Sequence, residues 1–123
     1  TRLPAHATSM GQALLAQLSQ NEFDRFMKET RLEALTPHTL TSREALRARL
    51  AEVRERGFAM VSEALDLGVR SIAMAIPGRP ANARLAVNLS AQAARVDAET
   101  MVADYLPALK RAAAQIAMGG AAR

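Results

Sequence analysis

An α+β fold with few strands for its size is predicted by three features of the sequence. The first half carries apolar residues at helical spacing behind serine and threonine caps. The middle switches to short runs that alternate with period two. The last quarter returns to one long helical pattern. At 123 residues the chain is long enough for one small domain and too short for two ordinary ones.

Each element has a local reason. Over residues 9–18, Met10, Ala13, Leu14 and Leu18 recur at helical spacing, with Gln12 and Gln17 off that stripe. Ser19-Gln20-Asn21-Glu22 is a capping box that opens a second helix, which presents Phe23, Phe26 and Met27 on one side. Residues 36–41 contain Pro37 and read as a loop. Thr41-Ser42-Arg43-Glu44 is read as a second capping box, Leu46, Leu50 and Val53 as the stripe behind it, and Gly57 as the C-cap. Strands are expected over 58–61, 69–76 and 85–90, with Pro77-Gly78-Arg79-Pro80 as a turn signal, and short links suggest an antiparallel meander. Asp97 is the expected N-cap of a final helix over about 98–117, with Val102, Tyr105, Leu109, Ala113 and Ile116 as its apolar line. A kink is expected at Pro107, and Gly119-Gly120 is expected to end the pattern.

The strand alternation separates two unlike faces. It places Ile72, Met74 and Ile76 with Leu85, Val87 and Leu89 on bulky sides, and Ser71, Ala73 and Ala75 with Ala86, Asn88 and Ser90 on small, partly polar ones. None of these positions carries charge, so neither face reads as solvent-facing. The small face has two readings: close packing against a helix, or the floor of a ligand pocket.

Composition excludes several classes. Half of the residues are hydrophobic, but 27 are Ala against three Phe, one Tyr and no Trp. Such a core buries little area per residue, and a solitary domain built on it is expected to be modestly stable unless it pairs with something. Without cysteine there is no disulfide framework, thiolate metal site or Cys nucleophile. No uncharged stretch approaches the roughly 20 apolar residues of a membrane span. TRLPAHATSM lacks a basic start followed by an apolar run, and there is no initiating Met, so an intracellular, soluble domain or fragment is expected.

Catalytic and nucleic-acid chemistry are both thin. His6 and His38 are the only histidines, both in expected loops near prolines, with no second ligand at metal-site spacing. The glycines do not form a phosphate loop. The reading is therefore not an enzyme, with no metal and no cofactor. The 14 Arg and two Lys outweigh 12 acidic residues to give +4. The crowd of Arg43, Arg47, Arg49, Arg54 and Arg56 is interleaved with Glu44, Glu52 and Glu55. Glu52 and Arg56 stand at i,i+4, and no aromatic residues intervene for base stacking. A solvated helix face is expected rather than a nucleic-acid surface.

Five collinear segments carry a family resemblance: LPAHATSMGQALLA, TPHTLTSREALRARLAEVRERGFAM, LGVRSIAMAIPG, LAVNLSAQAARV and MVADYLPALKRAAAQIA. Together they resemble the second part of the effector-binding domain of IclR-type bacterial transcriptional regulators. NLSAQAARV is most similar to the branch that regulates breakdown of aromatic acids.

The resemblance implies that residues 1–123 are the C-terminal portion of one GAF-like domain. Its antiparallel sheet would be flanked by helices and incomplete, lacking the first strands and helix. The winged helix-turn-helix domain would be absent from the chain. The implied partners are a small organic acid effector (aromatic acids included), other subunits in a homodimer or tetramer, and operator DNA held by a domain not in this chain. No membrane is implied, and the expected location is cytoplasmic. The family's ligand positions fall on Ser9 and Met10, whose backbone amides would face an anion, on Ser71, and on Asn88 and Ser90. The place where many members carry an acid falls on Val61. Gln12 stands where a basic residue is usual, and Gln92 where the aromatic-acid branch generally has His. Without a DNA-binding partner, the same chain would read as a GAF-type ligand sensor or dimerisation module.

Overall fold

The computed structural model describes residues 4–80 and 83–122. Leu3, where the family resemblance starts, lies outside them. A 3-10 turn (Ala5–Ala7) leads into α1 (Ser9–Leu15), α2 (Gln20–Glu29) and α3 (Arg43–Arg56). Three strands follow: β1 (Ala59–Ser62), β2 (Val69–Ala75) and β3 (Ala86–Gln92). The chain closes with α4 (Ala98–Thr100), a π turn (Met101–Tyr105) and α5 (Leu106–Ala122).

The strands form the expected antiparallel meander in the order β1-β2-β3. Ser71 lies opposite Val61 on one side and Ser90 on the other; Ile72 lies opposite Met60 and Leu89. This register keeps the two faces apart, because side chains directly across a ladder share a face. The bulky face meets the C-terminal helical run, where Ile72 packs with Phe58, Met101, Leu106 and Leu109. On the small face Ala59 and Ala73 join Ala13 and Leu15 of α1, its C-cap Ala16, and Leu46, Leu50 and Val53 of α3. The sheet is thus a middle layer. Alanines on one side let α1 approach the backbone closely, while branched residues fill the wider gap to α5.

Several boundaries differ from the sequence expectation for identifiable reasons. The first helix stops at Leu15, not at 18, because Gln17 and Leu18 donate to carbonyls three residues back and tighten into a turn. Its buried face is Ser9, Gln12, Ala13 and Leu15. Gln12, expected off the core stripe, is fully buried. The box at Ser19 forms in both directions: Ser19 Oγ accepts from Glu22 N–H, and Glu22 Oε1 accepts from Ser19 N–H at 2.8 Å.

The second expected box does not form. Ser42, one residue later than Thr41, is the N-cap, and its Oγ accepts from Ala45 N–H at 3.1 Å, so Glu44 is not at the reciprocal position. Gly57 ends α3 at φ +85°, which glycine reaches without strain. The strands are shifted by one or two residues from 58–61, 69–76 and 85–90. Pro107 is met by the preceding π turn, in which Leu106 N–H bonds the carbonyl of Met101 five residues back. The helix therefore changes pitch ahead of the proline and continues. It also continues through Gly119 to Ala122, past the expected stop. Ile116, expected in the apolar line, is 41% exposed.

The two acidic caps give a pH prediction. The Ser19 backbone N–H holds the Glu22 carboxyl below its ordinary value, and the Thr100 backbone N–H does the same for Asp97, with Arg70 adding to the effect. Both folded-state pKa values are depressed. Their stabilising contribution is thus complete above the ordinary carboxylate range and lost as pH falls through the lowered values. Thermal melts at pH 6 and pH 3 test this. The E22Q/D97N protein keeps neutral capping groups but does not titrate there, so its melting temperature is expected to fall less on acidification than the wild type's. An equal fall would remove these caps from the account.

Candidate functional site

The small face is not fully covered by α1. Its Ala59 and Ala73 end lies under helices, whereas its Ser71 and Ser90 end opens into a cavity of about 400 Å³. That volume is within the rough range of 300–1,000 Å³ for small-molecule sites. The small face is thus packed against helices at one end and floors a cavity at the other.

Three segments wall the cavity. The sheet contributes Ser71, Asn88, Ser90 and Val69; the 3-10 turn and α1 contribute Ala5, Ala7, Thr8, Ser9, Met10, Gly11 and Leu14; the β1 end and the β1–β2 connector contribute Val61, Ala64, Leu65 and Asp66. All six positions singled out by family resemblance, Ser9, Met10, Val61, Ser71, Asn88 and Ser90, thus border one space. Met10 and Leu14, expected in the core stripe of α1, instead face this cavity one helical turn apart. Ser9 and Val61 are buried, Ser71 is half-buried, and Asn88 and Ser90 are exposed. The Asn88 amide donates to Ser90 Oγ at 3.4 Å, so the two polar groups on β3 are neighbours along one face.

Local hydrogen bonding explains what remains available at α1. Thr8 is the N-cap: its Oγ1 accepts from Gly11 N–H at 2.9 Å and its carbonyl from Gln12 N–H at 3.0 Å. Among the described residues, the amides of Ser9 and Met10 have no backbone acceptor. Both residues border the cavity.

The walls are braced from a distance. Thr36 and Thr39 hydroxyls donate to the Glu63 and Ala64 carbonyls, each at 2.5 Å, and so tie the threonine-rich loop to the connector. Glu63 holds a left-handed φ of +60° there, a conformation uncommon for a residue with a side chain. Its carboxylate accepts from Gly68 N–H at 2.9 Å, closing the connector. On the other wall, buried Gln12 donates to the His6 carbonyl at 2.9 Å and accepts from Arg49 at 3.4 Å. His6, expected in a loop, lies in the 3-10 turn. It is 1% exposed, and its Nε2 meets the Glu33 carbonyl at 2.9 Å.

Asp66 was missed by sequence reasoning, as was the apolar wall of Leu14 and Leu65. Val61 stands where the resemblance implies an acid in many members, and Asp66, five residues later, brings a carboxylate to the same space. Asp66 is exposed, so it sits at the rim, and it is the sole ionisable side chain among the lining residues. An alternating pattern reports strand faces and carries no signal for where a connector folds back.

Among the described residues, no helix is long and apolar enough to cross a membrane. The family model described as bacterial transcriptional regulator IclR C-terminal matches residues 1–118. The chain is 37% identical over 111 residues to the HTH-type transcriptional regulator XynR of Escherichia coli K12, covering 90% of this chain and 44% of that protein. It is 33% identical over 115 residues to the Pca operon regulatory protein of Acinetobacter baylyi, covering 94% and 41%. A crystal structure of the inducer-binding domain of the PobR transcription factor from Acinetobacter, a double mutant in complex with 3-hydroxybenzoic acid, superposes with a TM-score of 0.85 at 30% identity. The match covers 94% of this chain and 66% of that one. The chain spans under half the length of these curated relatives.

Proposed function

Because the chain belongs to the IclR family of bacterial transcriptional regulators, matching its C-terminal domain, we propose that it is the effector-binding and oligomerisation part of a cytoplasmic DNA-binding regulator. Its effector is a small organic acid of the aromatic class. The observation that carries this reading is the cavity, whose apolar walls meet a few polar groups at Ser71, Asn88 and Ser90. The effector's ring lies between Met10, Leu14 and the sheet. Its carboxylate takes the amides of Ser9 and Met10, and Ser71, Asn88 and Ser90 fix its orientation. Rim Asp66 repels a second negative charge, so the carboxylate end points inward and a neutral or hydrogen-bond-donating end points outward.

Residues 1–123 are in this reading the C-terminal portion of one GAF-like domain, working in a dimer or tetramer. Operator DNA is held by a winged helix-turn-helix elsewhere in the protein. The effector changes the DNA-binding arrangement only by its differential affinity for the two subunit placements.

A thermal-shift measurement on the full-length protein tests the pocket, with 3-hydroxybenzoate, 4-hydroxybenzoate and protocatechuate as probes. An effector at one hundred times its dissociation constant stabilises the folded state by about 2.7 kcal/mol, which a melting curve resolves as several degrees. The wild type is expected to shift with at least one of these acids. N88L and S90L, at exposed positions on β3, are expected to melt near the wild-type temperature without ligand and to lose the shift. A shift that survives both substitutions would sink the assignment.

A further inference from the structure

A second cavity of about 310 Å³ lies between α3 and β1, on the far side of the wall formed by Val61 and Ala64. Its character is opposite to that of the first. Arg49, Glu52 and Arg56 reach it from one stripe of α3, at i, i+3 and i+7, with His38 and Ser62 beside them. The two arginines stand two helical turns apart, about 10.5 Å along the axis.

Neither charge has an ion-pair partner among the described residues. Among the described residues, no carboxylate lies within 4.0 Å of either guanidinium, although Glu52 sits between them in sequence. The expected Glu52–Arg56 surface pair is not made, because Arg56 lies instead over the Phe58 ring at 4.6 Å. Arg49 has one neutral acceptor, Gln12 Oε1, at a long 3.4 Å. A guanidinium has five N–H donors, so most of this hydrogen-bonding capacity remains unused, and it is suited to paired contacts with a carboxylate or phosphate.

We propose that this cavity is a second ligand site, for a small oxyanion group, either a carboxylate or a phosphate. Arg49 and Arg56 supply the charge, and Ser62 and His38 supply polar contacts. Glu52 subtracts one charge and limits the site to small anions. The polar chain Arg49–Gln12–His6 carbonyl connects this cavity to the turn that walls the first one. An anion that draws Arg49 off Gln12 would loosen that turn. This consequence rests on the effector reading above; the anion site does not.

Isothermal titration of the full-length protein with sodium phosphate and, separately, sodium malonate tests the site, with ionic strength held constant by sodium chloride. At least one anion is expected to give saturable binding with one site per chain. R49Q and R56Q are each expected to weaken it at least ten-fold, and N88L to leave it unchanged. Arg56 is exposed, so R56Q keeps the test valid should R49Q fail to fold. Tighter malonate binding assigns the carboxylate source, and tighter phosphate binding assigns phosphate or its esters. No saturable heat with either anion, or undiminished binding in R56Q, would overturn the site. Loss of anion binding in N88L would merge it with the effector cavity and overturn it as well.

Discussion

Replacing Gly11 by alanine is expected to destabilise the domain by about 1–2 kcal/mol and to abolish effector binding, although alanine is the better helix former. The two effects oppose each other. An alanine inside a helix gains up to about 1 kcal/mol over glycine. At Gly11, however, a Cβ would stand 2.6 Å from Thr8 Oγ1 and closer still to the carbonyl oxygen and Cα of Ala5. Two of those atoms are backbone, so no rotamer change relieves the overlap, and overpacking against fixed atoms costs roughly 1–3 kcal/mol or more. The turn must move, and with it the Thr8 cap and the cavity wall at Ala5 and Ala7. Gly119 makes the control. It lies in α5 with nothing within 4 Å of a built Cβ, so G119A is expected to be neutral or to stabilise by up to about 1 kcal/mol. Urea melts of the two variants are expected to shift in opposite directions. A wild-type midpoint for G11A would show that the turn does not hold its position against α1.

What the sequence made legible was what depends on near neighbours. Period two survives any environment, so the sorting of Ser71, Asn88 and Ser90 from Ile72, Val87 and Leu89 could be read directly, and the observed register keeps them sorted. The Ser19 box was legible because both partners lie within four residues. The box assigned to Thr41 failed by one position because Ser42 could cap as well, and local pattern does not rank two adjacent hydroxyls.

What stayed hidden depends on contacts distant along the chain. Gln12 looks like a surface residue until the His6 carbonyl and Arg49, 37 residues away, satisfy it. The arginines of α3 read as a solvated face, yet Arg43 and Arg47 lie over Phe23 at 5.3 and 5.7 Å, and Arg54 donates to the Ala16 carbonyl. Their long stems cover apolar surface while the charged heads find partners, a choice that only the fold reveals. At the candidate site, family resemblance supplied positions on three separate segments, and alternation independently accounted for Ser71, Asn88 and Ser90. Asp66 and Leu65 came from neither.

Substituting the adjacent residues Ile72 and Ala73 is expected to damage the domain in opposite ways. Both are fully buried, on opposite faces of the central strand. Ile72 fills the bulky face against Met101, Leu106 and Leu109, so I72A removes three side-chain carbons and leaves a hole under the C-terminal helix. Such truncations cost about 2–5 kcal/mol. In a domain of ordinary stability, about 5–15 kcal/mol, and with a core this rich in alanine, that is a large share. Ala73 lies on the small face with Ala13 of α1 and Ala16, the residue that caps its C-terminus. There A73L inserts three carbons where helix and sheet are already in contact, at a cost of roughly 1–3 kcal/mol. The functional consequences should separate further than the stabilities. The hole behind Ile72 faces away from the effector cavity, so I72A, assayed at low temperature where it remains folded, is expected to keep effector-induced stabilisation. A73L pushes α1 off the sheet and displaces Met10 and Leu14, so it is expected to lose that stabilisation while remaining the more stable of the two. Equal effector responses in the two folded variants would show that the close approach of α1 to the small face does not shape the cavity.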